Sequence, residues 1–590
     1  MMEVIIMEFK DSELPSQKEL EKELNEYLAR KYGHRVRVIS APFFQPKPER
    51  KEEKPSAKRI LSKINFDLKP EELIAYLDQY VVKQDEAKAI LATKICTHFN
   101  RIKYWLTHRE NAWQKIHYIK NNILMIGPTG VGKTFMIKLI AQKLGVPFVK
   151  GDATKFSETG YVGGDVEDLV RELVHQADDD IEIAQFGIIY IDEIDKIASS
   201  GEIVGPDVSR TGVQRALLKP MEETEVDLKT PFDPIAQLEA IEHYRRTGKK
   251  ERRIINTRHI LFIMSGAFNN LEEIIKQRLH QQGMGFGAKI TTKKEIHSYL
   301  PYVKPEDLIK YGFESEFIGR LPVIAVFEDL NTEDLYQILK NPNSVVINAK
   351  KQDFRAYGID LVFEDDALHI LAKKASEEGT GARGLVSVLE KTLLPFEKTL
   401  PSTDIKRLVV TKELVLNPKE TLKKILEGSI DLVSEKRFEK ALKEEKKYLR
   451  EVVINKGKAL AKQYDLHLTP KRIELIVNAY DKFDYDLTYG FQEMARWIKE
   501  VTTFFETFYE ETGLKCHLSE EAIDELLSHV IIQEKDIVNI CREIAQNLEF
   551  GLKLVKEKTG QSIFELTAQS LKDPEGYIRQ LIRRSYEGYS

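Results

Sequence analysis

The eight residues GPTGVGKT at 127–134 constrain the fold of this chain more than any other stretch. They follow the apolar run ILMI directly and lead into the helical pattern FMIKLIAQKLG. Such a strand-loop-helix order lets the glycines turn backbone N–H groups toward one point, where the helix N-terminus adds positive potential. The pattern predicts a nucleoside triphosphate site built from Gly127, Pro128, Thr129, Gly130, Val131, Gly132, Lys133, Thr134 and Phe135, with the Lys133 ammonium on the β/γ-phosphates and the Thr134 hydroxyl on Mg²⁺. About 50 residues on, IIYIDEID brings a buried strand to an acidic pair. A strand end on the same sheet is where a carboxylate approaches the magnesium, so Asp192 is expected in the Mg²⁺ shell and Glu193 on the attacking water.

The bulk numbers give no substrate class. At 590 residues and 31% charged, the chain has room for roughly three or four domains, and a net charge of −5 points to neither a nucleic-acid nor a membrane partner. Three scattered cysteines (Cys96, Cys516, Cys541) form no disulfide framework and no zinc finger, as expected of a cytoplasmic chain. The N-terminal apolar run is too short for a signal-peptide core, and no later run approaches the length needed to span a bilayer.

The chain divides into five expected parts, of which the boundary at 325/326 is what the family resemblance given below implies. Residues 1–42 read as a small unit with a strand (EVIIMEF) and a helix, and 43–66 as a Pro/Lys/Glu-rich flexible linker. Residues 67–325 read as an α/β domain, a parallel sheet with helices on both faces, because NNILMIG, FGIIYIDEID and RHILFIMSGAF are short apolar runs separated by helical patterns. Residues 326–418 form a smaller helical/α+β domain, and 419–590 a mostly helical extension. An internal echo links 358–375, 464–480 and 513–530, each reading as a short strand before an amphipathic helix.

The ordered motifs GPTGVGKT, DATKFSETGYVGGDVEDL, IIYIDEIDKIA, DVSRTGVQRALLKPMEET, ILFIMSGAFNNLEEII, PEDLIKYGFESEFIGRLP and TGARGL resemble those of AAA+ unfoldases of the ClpX type, and less closely HslU, from about 68 to about 416. The resemblance implies a P-loop AAA+ core and lid assembled into a ring, a homo-oligomer and usually a hexamer, that uses ATP to pull polypeptide through a central pore. It implies that Tyr80, Val81, Val82 and Gln84 surround the adenine, that Arg320 reaches a neighbouring subunit's γ-phosphate, that Arg383 contacts the nucleotide of its own chain, and that Ser265 is a polar sensor. It also makes Tyr161, Val162 and Gly163 the pore loop gripping the translocating chain, with a second loop near Asp207 and Arg210.

The sequence departs from the family in three places. Residues 1–40 contain no cysteine and stand where the four-cysteine zinc domain is expected, 220–257 lack the usual basic loop, and 419–590 have no counterpart. QQGMGFGAKI places Met284, Gly285 and Phe286 where an aliphatic-Gly-Phe tripeptide docks a ClpP-type peptidase. The expected function is thus an ATP-dependent unfoldase and translocase feeding such a peptidase. The alternatives are a nucleotide-gated remodelling scaffold working without one, and a nucleic-acid motor, which the aromatic-apolar pore pair disfavours because a phosphate tracker needs Lys or Arg there.

Overall fold

The computed structural model describes residues 57–107, 120–156, 165–198, 210–228, 253–282 and 298–587. The expected unit 1–42, the pore-loop residues Tyr161, Val162 and Gly163, Asp207 with the side chain of Arg210, and the tripeptide Met284, Gly285 and Phe286 lie outside the described residues. Among the described residues, no helix is long and apolar enough to cross a membrane.

Strands β1 (Ile123–Ile126), β2 (Phe148–Asp152), β3 (Ile188–Asp192), β6 (Leu261–Gly266) and β7 (Val323–Val326) form one parallel sheet in the order β2-β3-β6-β1-β7. A parallel sheet is covered on both faces, which is why these strands are continuous apolar runs rather than alternating ones. Ile123, Met125, Ile188, Tyr190, Leu261 and Ile263 enter one core, while Leu124, Ile126, Ile189, Ile191, Phe262 and Met264 enter the other. The expected α/β core is therefore present. A short antiparallel pair, β4 (Glu225–Asp227) with β5 (Ile254–Asn256), flanks it. Asn122 locks the start of β1 to its neighbours: its side chain accepts from Phe262 N at 3.3 Å and donates to the Met221 and Arg320 carbonyls, each at 3.2 Å. The register sets Ile126 beside Gly266 and Asp152 beside Asp192, so the C-terminal ends of the strands form one rim.

A lid follows, with helices Thr332–Lys340, Val345–Ala356, Asp365–Glu377 and Ala382–Thr399 and a parallel pair, β8 (Asp360–Phe363) with β9 (Arg407–Val410). It continues through the short helix Lys412–Leu416 into the helix Pro418–Leu426. The chain beyond is mostly helical, as expected, and it contains a second copy of this arrangement. Helix Leu487–Thr512, β10 (Lys515–Leu518), helices Glu520–Gln533 and Ile537–Thr559, β11 (Ile563–Leu566) and helices Ala568–Lys572 and Pro574–Glu587 repeat the order of the lid, with the one helix Leu487–Thr512 standing where the lid has Thr332–Lys340 and Val345–Ala356. Start points keep their spacing to within one residue: 360 and 515, 365 and 520, 382 and 537, 407 and 563, 412 and 568, 418 and 574. The punctuation repeats too, since Thr411 and Thr567 both N-cap the short helix and Pro418 and Pro574 both open the last one.

One part of the expected echo is corrected. Residues 464–480 provide the helix Pro470–Asn478 but no strand before it. In the lid and in its copy the small sheet consists of two parallel strands, and among the described residues this segment has no second strand to pair with. It follows the 29-residue helix Glu435–Gln463, whose Phe438 and Ala441 pack on Val362 and Val409 of the lid sheet.

Candidate functional site

The rim of the sheet opens into a cavity of about 560 Å³, within the range that holds a nucleotide-sized ligand. The phosphate loop forms its floor. Gly127 leaves β1 at φ 154°, where a Cβ would lie 2.6 Å from the Phe327 carbonyl oxygen, so only glycine fits. Gly132 has φ 93°, nothing within 4 Å of where its Cβ would be, and directly precedes the helix Lys133–Leu144. This open, N–H-rich cradle at a helix N-terminus is the observation that fits a phosphate.

Lys133 is 9% exposed, and its Nζ donates to the Gly127 and Pro128 carbonyls at 2.7 and 2.8 Å. Burial pushes its ammonium down to about 8, with Asp192 and Asp195 pulling it back up and Arg383 adding to the fall. A buried cation with only carbonyl partners gains by meeting an anion.

Asp192 ends β3 and is surrounded by donors. Ser265 Oγ donates to its Oδ1 at 2.6 Å, and Lys150 Nζ pairs with Oδ2 at 2.8 Å. Thr134 Oγ1 lies 3.4 Å from Oδ2 and 2.9 Å from the Tyr190 hydroxyl, which in turn meets Ser265 Oγ at 2.6 Å. Burial opposes the Asp192 charge, but Lys150 and Ser265 outweigh it and hold the carboxyl below its ordinary range. Burial also raises the Tyr190 phenol, with Asp192 adding to the rise, so that hydroxyl stays protonated. A hydroxyl and an ionised carboxylate at a helix N-terminus are hard oxygen donors and suit Mg²⁺. Glu193 lines the cavity and is exposed, with left-handed backbone angles of φ 57° and ψ 33°.

Tyr80, Val81 and Val82 line the cavity, as do Ile338, Val345 and Val346 of the lid. Gln84 does not line it. Its side chain is 2% exposed and both ends are taken by the backbone of Glu328, with Nε2 donating to O at 2.7 Å and Oε1 accepting from N at 2.8 Å. Arg383 reaches the cavity from the lid. The lid touches the phosphate loop directly, since Ala382 N donates to the Gly130 carbonyl at 2.9 Å. Gly130 and Gly381 stand at φ 81° and 61°, and a Cβ on Gly130 would come within 2.2 Å of the Thr380 carbonyl oxygen. Arg320 is not part of this chain's own cavity; it is exposed and paired with Glu222.

Sequence reasoning missed Tyr190, Lys150 and Asn269. Asn269 lines the cavity beyond β6, where nothing in the string SGAFNN separates a site residue from a loop residue. Tyr190 reads as one more apolar-run member of IIYID, and only the pleat, which sends it toward Thr134, reveals its role.

A parallel sheet with a phosphate loop at its rim, an acidic pair at the end of β3 and a lid arginine at the opening define an AAA+ ATPase, an enzyme that binds and hydrolyses ATP. Residues 119–324 match the family model described as AAA domain (Cdc48 subfamily), and 330–396 that of the C-terminal, D2-small domain, of ClpB protein. The chain is 41% identical over 355 residues, 59% of its own length and 78% of theirs, to two proteins described as "ATP-dependent Clp protease ATP-binding subunit ClpX", from Borrelia duttonii (strain Ly) and Borrelia recurrentis (strain A1). The chain belongs to the ClpX family.

Proposed function

We propose that this protein is an ATP-driven protein unfoldase that works as a ring, threads polypeptide through the central pore and hands it to a ClpP-type peptidase in the cytoplasm. The observation that carries this reading is the convergence of Lys133, Thr134, Asp192, Glu193 and Arg383 on one cavity between core and lid, in a chain that covers 78% of the length of the ClpX relatives it matches. In this reading the ATP phosphates lie along the loop, Lys133 leaves the Gly127 and Pro128 carbonyls for the γ-phosphate, and Glu193 takes the proton from the attacking water. Mg²⁺, held by Thr134 and Asp192, supplies charge neutralisation for the phosphates when bound. Arg383 covers the phosphates from the lid, and Arg320, facing outward, serves the neighbouring subunit's nucleotide. Because Ala382 is bonded to Gly130, nucleotide exchange at the loop is felt by the lid.

Tyr161, Val162 and Gly163 grip the client by sequence-tolerant contact, and Met284, Gly285 and Phe286 insert into the peptidase. The test is a pair of substitutions in the full-length protein. Tyr161→Ala is expected to keep ATP hydrolysis and to lose unfolding of a folded reporter with an unstructured tail, whereas Phe286→Ala is expected to keep unfolding and to lose peptide release by the peptidase. Unaffected unfolding by Tyr161→Ala overturns the threading reading, and unaffected degradation by Phe286→Ala overturns the docking reading.

A further inference from the structure

We propose that residues 484–488, which lead into the second lid copy, are a positioning element of the nucleotide site, with Asp486 holding the Tyr80 side chain against the purine. The inference rests on the reading of Tyr80, Val81 and Val82 as the purine wall, and deepens it.

The segment is bonded to both sides of the cleft. On the core side, the Tyr80 hydroxyl donates to the Asp486 carboxylate at 3.3 and 3.4 Å, and Thr488 Oγ1 donates to Gln79 Oε1 at 2.7 Å. On the lid side, Leu487 N donates to Asn343 Oδ1 at 3.0 Å, while Asn348 Nδ2 donates to the Tyr485 carbonyl at 2.6 Å and to that of Pro342 at 2.8 Å. Those lid residues flank and enter the helix Val345–Ala356, whose first two residues line the nucleotide cavity. One short segment therefore bridges core and lid beside the nucleotide cavity.

The contact is built rather than incidental. Leu487, Thr488 and Asn343 are 4%, 5% and 6% exposed. Asp484 and Tyr485 hold φ of 51° and 59°, a conformation that non-glycine residues keep only where surrounding bonds fix it. Asp486 has two roles, because its Oδ1 also N-caps the helix Leu487–Thr512 by accepting from Thr488 N at 2.8 Å and Tyr489 N at 3.2 Å. Behind Val81 and Val82, a second cavity of about 390 Å³ separates the purine wall from Val453, Gly457, Leu460, Leu487 and Phe491. The wall thus has a cavity on either side, and the bond of Tyr80 to Asp486 adds to the burial of Val81 and the packing of Tyr80 on Tyr76 in fixing it.

The experiment measures initial rates of hydrolysis against ATP concentration for the full-length protein, Tyr80→Phe, Asp486→Ser, the double variant and Asp486→Asn. Serine keeps the helix cap but is too short to reach Tyr80, whereas asparagine keeps both. Tyr80→Phe and Asp486→Ser are each expected to raise the KM for ATP by about 3- to 10-fold, the loss of one charge-assisted hydrogen bond, while changing kcat less than about twofold. The double variant is expected to be no worse than the worse single variant, and Asp486→Asn to restore a near-normal KM. An unchanged KM in Asp486→Ser, or increases that multiply in the double variant, overturns the proposal. Should Asp486→Ser fail to fold, Tyr80→Phe, which leaves every backbone contact of the segment in place, carries the same expectation, and its unchanged KM overturns the proposal. Val82→Glu keeps the readings distinguishable: an unchanged KM there overturns the purine-wall reading itself, and a raised KM there with an unchanged one in Asp486→Ser overturns only the positioning role.

Discussion

Glu193 carries the proposed chemistry on a strained backbone. At φ 57° a side-chain-bearing residue costs on the order of 1 kcal/mol relative to glycine, and the carboxylate stays there because Asp192 Oδ1 accepts the Glu193 N–H at 3.1 Å and β3 fixes what precedes it. Glu193→Gln is expected to lower kcat by about 100-fold or more while ATP still binds, measured by steady-state hydrolysis and nucleotide titration; hydrolysis within about threefold of normal would remove Glu193 from the role of base. A second group of residues controls stability rather than chemistry. His98 and His259 are buried beside each other, with His98 Nε2 3.0 Å from the His259 carbonyl, and burial pushes their imidazoles down to about 4 and about 3. Both values lie below the ordinary 6.5, so as pH falls below about 6.5 the unfolded chain binds protons that the folded one refuses. Folding stability is expected to be fully present above pH 6.5 and to fall progressively between about 6.5 and 3, read by denaturant unfolding across that range; a His98→Leu variant is expected to flatten the slope, and an unchanged slope would contradict the assignment.

The decisive contact between secondary-structure elements is the one between the phosphate loop and the N-terminus of the lid helix Ala382–Thr399. Gly381 approaches Gly130 so closely that a Cβ would stand 2.9 Å from its carbonyl oxygen, and its φ of 61° disfavours any other residue. Gly381→Val is expected to lower kcat/KM for ATP by about 10-fold or more with little change in the melting temperature of the core, because it separates Arg383 from the loop without touching either sheet face; normal kinetics would show that the lid need not close on the loop. The duplicated lid is the counter-example on the same scale. Its equivalent turn reads Glu534, Lys535, Asp536, Ile537, Val538, so valine stands where the first copy has Arg383 and no glycine permits close approach. The second copy therefore keeps the packing of a lid without its nucleotide contact. Its core is independent of the first, with Leu526, Cys541, Leu552 and Phe564 buried together, and Phe564→Ala is expected to cost roughly 3–5 kcal/mol, read in the unfolding of this part alone.

Across the whole molecule, what the sequence made legible follows physical rules of short range. The sheet strands were readable because burial on both faces makes each a continuous apolar run, and the phosphate loop because its glycines, lysine and hydroxyl must lie within eight residues. Long-range pairing was not readable. Tyr190 and Lys150 join the site only through strand register, and Gln84, expected beside the adenine, instead spends its amide on the Glu328 backbone 244 positions away. The echo at 358–375 and 513–530 was visible as a pattern, but that it marks a duplicated lid depended on β8 pairing with β9 as β10 pairs with β11. Least visible was that Asp486 meets Tyr80 across 406 positions, a hydrogen bond from the extension to the ATPase core.

The most direct test of the proposed function is fluorescence from a stably folded reporter with an unstructured tail, followed in the presence of the full-length protein and ATP, with the Glu193→Gln protein as control. The account predicts ATP-dependent loss of fluorescence with the native protein, none with Glu193→Gln, and irreversible loss once a ClpP-type peptidase is added. Hydrolysis of ATP by the native protein with fluorescence unchanged, for this reporter and for tails of different sequence, would contradict an unfoldase.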